Sequence, residues 1–168
     1  MRRVALFATI LITQAGCRHR PETSPATQAA TSTVVGTVTN LGSDPLSQVV
    51  VRPDSGVPVA IVGRLSEEIR QLVGLTVRVT GAHVRGQPPV ASAVDVRDYT
   101  ILSLNGTPVH VGTLQSRSGK LYLDGTESLV LVAPSEELTQ VVGSIVWIAG
   151  QVDGRSLRVE AYGVIRRR

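Results

Sequence analysis

Ser66-Glu67-Glu68-Ile69-Arg70-Gln71-Leu72-Val73-Gly74-Leu75-Thr76-Val77-Arg78-Val79-Thr80-Gly81 returns later in the chain as Ser135-Glu136-Glu137-Leu138-Thr139-Gln140-Val141-Val142-Gly143-Ser144-Ile145-Val146-Trp147-Ile148-Ala149-Gly150. The offset is 69 residues throughout, without a gap. Ser-Glu-Glu, Gln, Val, Gly, Val and Gly match, and most mismatches exchange one apolar residue for another. A self-similar block of this length sets the unit of folding before any single element is assigned.

The repeat extends both ways. Upstream, Val35-Gly36-Thr37-Val38 answers to Val111-Gly112-Thr113-Leu114 at an offset of 76. Downstream, Val96-Arg97-Asp98-Tyr99 answers to Val159-Glu160-Ala161-Tyr162 at an offset of 63. Loops of different length between fixed blocks produce such changing offsets, because loops accept insertions cheaply. The reading is two copies of one small domain, residues 34–104 and 105–168.

Within each copy the alternation of apolar and polar residues gives strands. In the first they fall over residues 34–39, 48–52 and 57–62, then around Val77 and Val79 and around Val94 and Val96. Between the third and fourth lies a short helix, with Ser66 as N-cap, Glu67 and Glu68 in its first turn, and Gly74 at its end. The second copy follows the same order over residues 109–114, 120–124, 128–132, 145–151 and 156–165, with Ser135 capping its helix. Asn105-Gly106, Asp124-Gly125 and Asp153-Gly154 read as hairpin turns, the last two of type I′. With one Phe, one Trp and three Tyr, the core must be built from Val, Ile and Leu, which suits strands.

Three strands, a helix and two further strands resemble the OB-fold, a five-stranded Greek-key barrel whose helix plugs one end. Gly36 and Gly112 sit where that fold bends its first strand. The resemblance implies an all-β chain with short helices, built as tandem OB-like barrels joined rigidly through Asn105-Gly106. A larger β-sandwich, or a pair of other small barrels, is the rival topology.

Residues 1–17 carry Arg2 and Arg3, then an apolar run over residues 4–13 too short to span a bilayer, then Gln14-Ala15-Gly16-Cys17. Cys17 is the only cysteine. This segment resembles the signal of a bacterial lipoprotein, in which small residues precede a cysteine that becomes lipidated. Ala15 and Gly16 fit, while Gln14 stands where Leu is usual. The alternative is an ordinary secretory signal with an incidental cysteine. The resemblance implies acyl chains on Cys17, anchorage to the bacterial cell envelope on its periplasmic side, and, from Arg18, the outer rather than the inner membrane. More than one acyl chain makes such anchoring stable. Residues 18–33, rich in Thr, Ala, Ser, Gln and Pro, read as a disordered tether.

The formal charge is +4, but between Val34 and Ile165 ten cations face twelve anions. The folded part therefore has no electrostatic footprint for nucleic acid. His19, His83 and His110 are isolated, so no metal spacing appears and no cofactor is implied. Neither a nucleophile motif nor a phosphate loop is present, which points away from an enzyme. Aromatic residues are the better candidates. Inward Val146 and Ile148 put Trp147 outward, inward Leu121 and Leu123 put Tyr122 outward, and inward Leu157 and Val159 put Tyr162 outward. A two-residue Asp153-Gly154 turn sets position 147 opposite 160 and diagonal to Tyr162, making one patch. Those rings form a binding surface, or else they fill the contact between the copies. The expected function is a non-enzymatic envelope module with a protein or glycan partner. The alternative is an OB-type binder of single-stranded nucleic acid or oligosaccharide.

Overall fold

The structure, a computed structural model, describes residues 31–43 and 47–167. The signal segment with Cys17, and residues 18–30 of the tether, lie outside the described residues. The described residues form an all-β fold with two short helices. In order come β1 (Thr31–Leu41), β2 (Gln48–Arg52), β3 (Val59–Val62), α1 (Ser66–Arg70), β4 (Leu75–Arg85) and β5 (Ser92–Leu104). Then follow β6 (Thr107–Arg117), β7 (Lys120–Asp124), β8 (Ser128–Val132), α2 (Glu136–Thr139), β9 (Ile145–Asp153) and β10 (Ser156–Arg166). Residues 31–33, expected in the tether, belong to β1, where they pair with Ala82, Gly81 and Thr80 of β4.

β1 pairs antiparallel with β2 and β4, β2 with β3, and β4 with β5, while β3 runs parallel to β5. The pairings of these five strands thus close into a ring. β6 pairs with β7 and β9, β7 with β8, and β9 with β10, while β10 runs parallel to β8, closing a second ring by the same scheme. The rings are joined by a tight hairpin, Ser103 to Pro108 and Leu104 to Thr107, around Asn105 (φ 49°) and Gly106 (φ 85°). Positive φ at both central positions is what a type I′ turn requires.

The likeness between the rings reaches single residues. In the β4–β5 ribbon, Arg97 and Leu102 are extra residues at two register shifts. In the β9–β10 ribbon the extra residues are Glu160 and Ile165, each 63 positions later. A bulge bends its strand and sharpens the local twist, which a ring of only five strands needs. Gly36 and Gly112 serve the same end on β1 and β6. A Cβ on Gly36 would strike the Arg52 carbonyl, and one on Gly112 would come within 2.6 Å of the Asp124 carbonyl oxygen. Only a residue without a side chain lets the neighbouring strand cross so close.

Each ring encloses an aliphatic core, closed at one end by its helix. Ile69 and Leu72 seal the first, beside Val38, Val77, Val79, Val94 and Val96, while Leu138 seals the second, beside Leu114, Leu123, Val146, Ile148 and Leu157. After each helix the chain is tied down alike: Gly74 N–H donates to the Val38 carbonyl at 2.9 Å, and Gly143 N–H to that of Leu114 at 2.7 Å.

Several local expectations need correction. Leu65, not Ser66, occupies the N-cap of α1, and the Ser66 hydroxyl donates to the Gly63 carbonyl at 2.8 Å instead. Ser135 does sit at the N-cap of α2, but without a side-chain capping bond. Asp124-Gly125 is not a two-residue turn; Gly125, Thr126 and Glu127 form a three-residue loop between Asp124 and its partner Ser128. The β9–β10 turn is Gly154-Arg155, because Asp153 pairs with Ser156, and positive φ occurs only at Gly154. The second type I′ pair of angles lies instead at Ser118 (φ 49°) and Gly119 (φ 72°).

Candidate functional site

Trp147 points away from the core of its own ring, as its buried neighbours Val146 and Ile148 dictate. It does not stand free. The indole packs against the first core together with Val109 and Ile145, and Ile165 is buried in that same core. Its cross-strand partner is Gly163 rather than residue 160, because the turn falls one residue later and Glu160 adds a bulge. A Cβ on Gly163 would stand 2.6 Å from the indole Nε1, so the ring lies across bare backbone there. Trp147 thus occupies the contact between the rings.

The bulge at Glu160 also turns Tyr162. Alternation alone puts it outward, but the extra residue reverses the sense of the strand, and Tyr162 pairs with the buried Ile148. Its ring packs on the second core, and its hydroxyl donates to Glu137 Oε2 of α2 at 2.8 Å. Trp147 and Tyr162 therefore sit on opposite faces of the β9–β10 ribbon and form no common patch. The first ring has the same lock, the Tyr99 hydroxyl donating to Glu68 Oε1 at 2.5 Å. There a third group joins, Arg166 from the end of β10, whose guanidinium lies 2.7 Å from Glu68 Oε2.

These contacts govern ionisation. Burial pushes the Glu68 carboxyl up, but hydrogen bonds from Tyr99 and Arg166, with the arginine's charge, bring it below its ordinary value. Burial first, then the bond to Glu68, hold the Tyr99 phenol well above its ordinary range. Tyr162 is raised chiefly by its bond to Glu137, partly offset by the Ser135 hydroxyl. The Arg166 guanidinium is raised by its bond to Glu68.

Tyr122 faces outward, with Leu121 and Leu123 buried on either side. Strand register places Gln115, Tyr122, Val130 and Ser156 in one row across β6, β7, β8 and β10. The Arg117 guanidinium lies over the Tyr122 ring at 5.4 Å from its centre, within cation–π range. Arg117 also pairs with Asp124, which accepts a 2.6 Å bond from the Ser128 hydroxyl. Lys120 and Arg158 are exposed beside the row.

On the first ring the corresponding face is covered by the chain itself. Val50, Ala60 and Ala93 are buried there under Val90 of the β4–β5 loop, with Leu41 and Val84 packed alongside. Gln48 Nε2 donates to the Pro88 carbonyl at 3.2 Å, fastening that loop. The second ring has only Gly154-Arg155 in that place, which leaves the Tyr122 row uncovered by it. Sequence reasoning missed a cleft of about 510 Å3 where His110, Glu127, Leu123 and Leu129 of the second ring meet Thr100 and Ile101 of the first. The signal was available: His110 shares the inward alternation of Gly112 and Leu114.

No family model, curated protein or solved structure matches the chain.

Proposed function

We propose that this chain is a lipid-anchored protein of the bacterial cell envelope, a non-enzymatic binding or assembly module made of two OB-like barrels. The anchor is Cys17 and the tether is the segment that follows it. Support for the OB reading comes from strand pairing: each ring has the order first-second-third-fifth-fourth, with the third and fifth strands parallel and a helix after the third. Bulges, bend glycines and Tyr-to-Glu locks at equivalent positions support descent of both barrels from one unit. Residues 34–104 and 105–168 are then the two domains, with β1 extending the first to Thr31.

The observation that carries the binding reading is the row Gln115–Tyr122–Val130–Ser156, left bare on the second barrel where the first covers the same face with its own loop. An aromatic ring, an amide, a hydroxyl and flanking cations suit stacking and hydrogen bonding to an envelope glycan or protein surface. Nucleic acid is the weaker partner, because between Thr31 and Arg167 twelve cations only balance twelve anions. NMR titration of the protein with envelope glycans, anionic vesicles and single-stranded DNA tests the proposal. We expect shifts confined to the Tyr122 row with one ligand class, and loss of the response in Tyr122→Ala. Shifts that ignore this row would refute the site. Separately, an acyl probe should label the wild-type protein in cells and not Cys17→Ala, which should leave the membrane fraction.

A further inference from the structure

The two rings are alike, but their ends are used differently. At the first ring, the Tyr99–Glu68 lock is covered by residues of the second. Ile165 enters the first core, Arg166 closes on Glu68, and Val109, Ile145 and Trp147 pack against the same core. As a result the Glu68 side chain is only 19% exposed. At the second ring, the equivalent lock of Tyr162 and Glu137 is made at 2.8 Å, yet Glu137 is exposed. Among the described residues no arginine reaches Glu137.

The chain does not carry a second plug. At the offsets of the repeat, Val109, Ile145, Trp147, Ile165 and Arg166 correspond to Thr33, Thr76, Arg78, Leu102 and Ser103 of the first ring. Thr33 and Arg78 are exposed, and the surface that plugs one barrel keeps only Leu102 as an apolar residue on the other. A second copy, offering its first ring, would therefore bring Leu102 for Ile165 but Thr33, Thr76 and Arg78 for the flanking apolar residues and Ser103 for Arg166. Such a head-to-tail contact would otherwise propagate into a filament, and its polar substitution blocks that.

From this asymmetry we infer that the Tyr162–Glu137 end of the second ring is an interaction surface for a partner segment presenting an apolar residue followed by an arginine. Ile165-Arg166 at the first ring is the internal precedent for what fits. The carboxylate of Glu137, oriented by Tyr162, supplies a charge-assisted partner for the guanidinium. Val164, partly buried against the second core and equivalent to Ile101, supplies the apolar neighbour. The inference rests on the equivalence of the two barrels and is independent of both the anchor and the Tyr122 face.

The test uses the intact protein, observed by NMR, and an acetylated peptide copying residues 162–167. Saturable shifts at Glu137 and Tyr162 are expected, with the Tyr122 row and Glu68 unmoved. A peptide with alanine at the place of Arg166 should bind at least tenfold more weakly, and Glu137→Gln should weaken the original peptide by a similar factor. Glu137 is exposed and Gln is nearly isosteric, so this variant keeps the fold. Tyr162→Phe, which frees the carboxylate from its orienting bond, should lower affinity by a smaller factor. Binding that survives Glu137→Gln or the alanine peptide, shifts at Glu68 in place of Glu137, or no binding at all would each overturn the inference. Failure of this peptide with an intact glycan response at Tyr122 would leave the proposed binding face standing.

Discussion

Gly163 shows how one missing side chain fixes the surroundings of the only tryptophan. The Trp147 indole rests on the backbone of residue 163, with Nε1 and Cε2 both inside the space a Cβ would take. Gly163→Ala therefore has to push the indole out of the contact between the two strand rings. Overpacking of this kind costs about 1–3 kcal/mol. We expect a lower urea midpoint together with a red-shifted, more quencher-accessible tryptophan emission. A normal emission spectrum in a destabilised variant would mean that the ring is held by something other than this seat. The same residue shows a limit of sequence reading. That Trp147 points away from its own core follows from Val146 and Ile148. What it meets there depends on how the second strand ring docks on the first, and no local pattern encodes that.

At the level of elements, the Tyr-to-Glu lock fastens each short helix to the last strand of its ring. These helices are too short to be stable alone. Tyr99→Phe removes a bond to an ionised acceptor, which at a partly exposed site costs about 1–2 kcal/mol; Tyr162→Phe, in the exposed copy, should cost less. The locks also set a pH dependence. The folded Glu68 carboxyl is lower than in the unfolded chain, so its contribution is complete above the ordinary glutamate value, about 4.3, and is lost as pH falls through the folded value. The folded Tyr99 phenol is raised, so its contribution is complete below the ordinary value, about 10, and is lost as pH climbs from there. Urea titrations across pH should show both losses in the wild type. In Tyr99→Phe the alkaline loss should vanish and the acid loss shrink. Both partners of each lock lie inside the repeated blocks, so their equivalence was legible. Their contact was not, because the extra residues Arg97 and Glu160 are invisible to simple alternation. The strands themselves were legible wherever one face meets a core, whereas Ser66 misled because Leu65 takes the cap and the serine bonds backward to Gly63.

At the scale of the whole molecule, the repeat matches two rings of strands, and their contact argues against independent folding. Val109, Ile145, Trp147 and Ile165 are contributed by the second ring to the first core, and Arg166 neutralises a partly buried carboxylate there. The linker is a two-residue turn, so the rings have little freedom to separate while Ser103 stays paired with Pro108 and Leu104 with Thr107. Removing the second ring would uncover aliphatic surface and leave Glu68 without its cation, both of which disfavour the first ring alone. We therefore expect one cooperative transition, with tryptophan emission and far-UV circular dichroism coinciding along a urea titration. Ile165→Ala removes most of a side chain that is 8% exposed, at a cost of about 2–4 kcal/mol. That loss falls on the contact as much as on either core. In this variant the two probes should separate, because Trp147 reports the contact while the dichroism reports the strands of both rings. Coincident curves in Ile165→Ala with a lowered midpoint would place its energy within a single indivisible core. Separate curves already in the wild type would show two domains that merely touch, and the end of β10 would then not be what couples them.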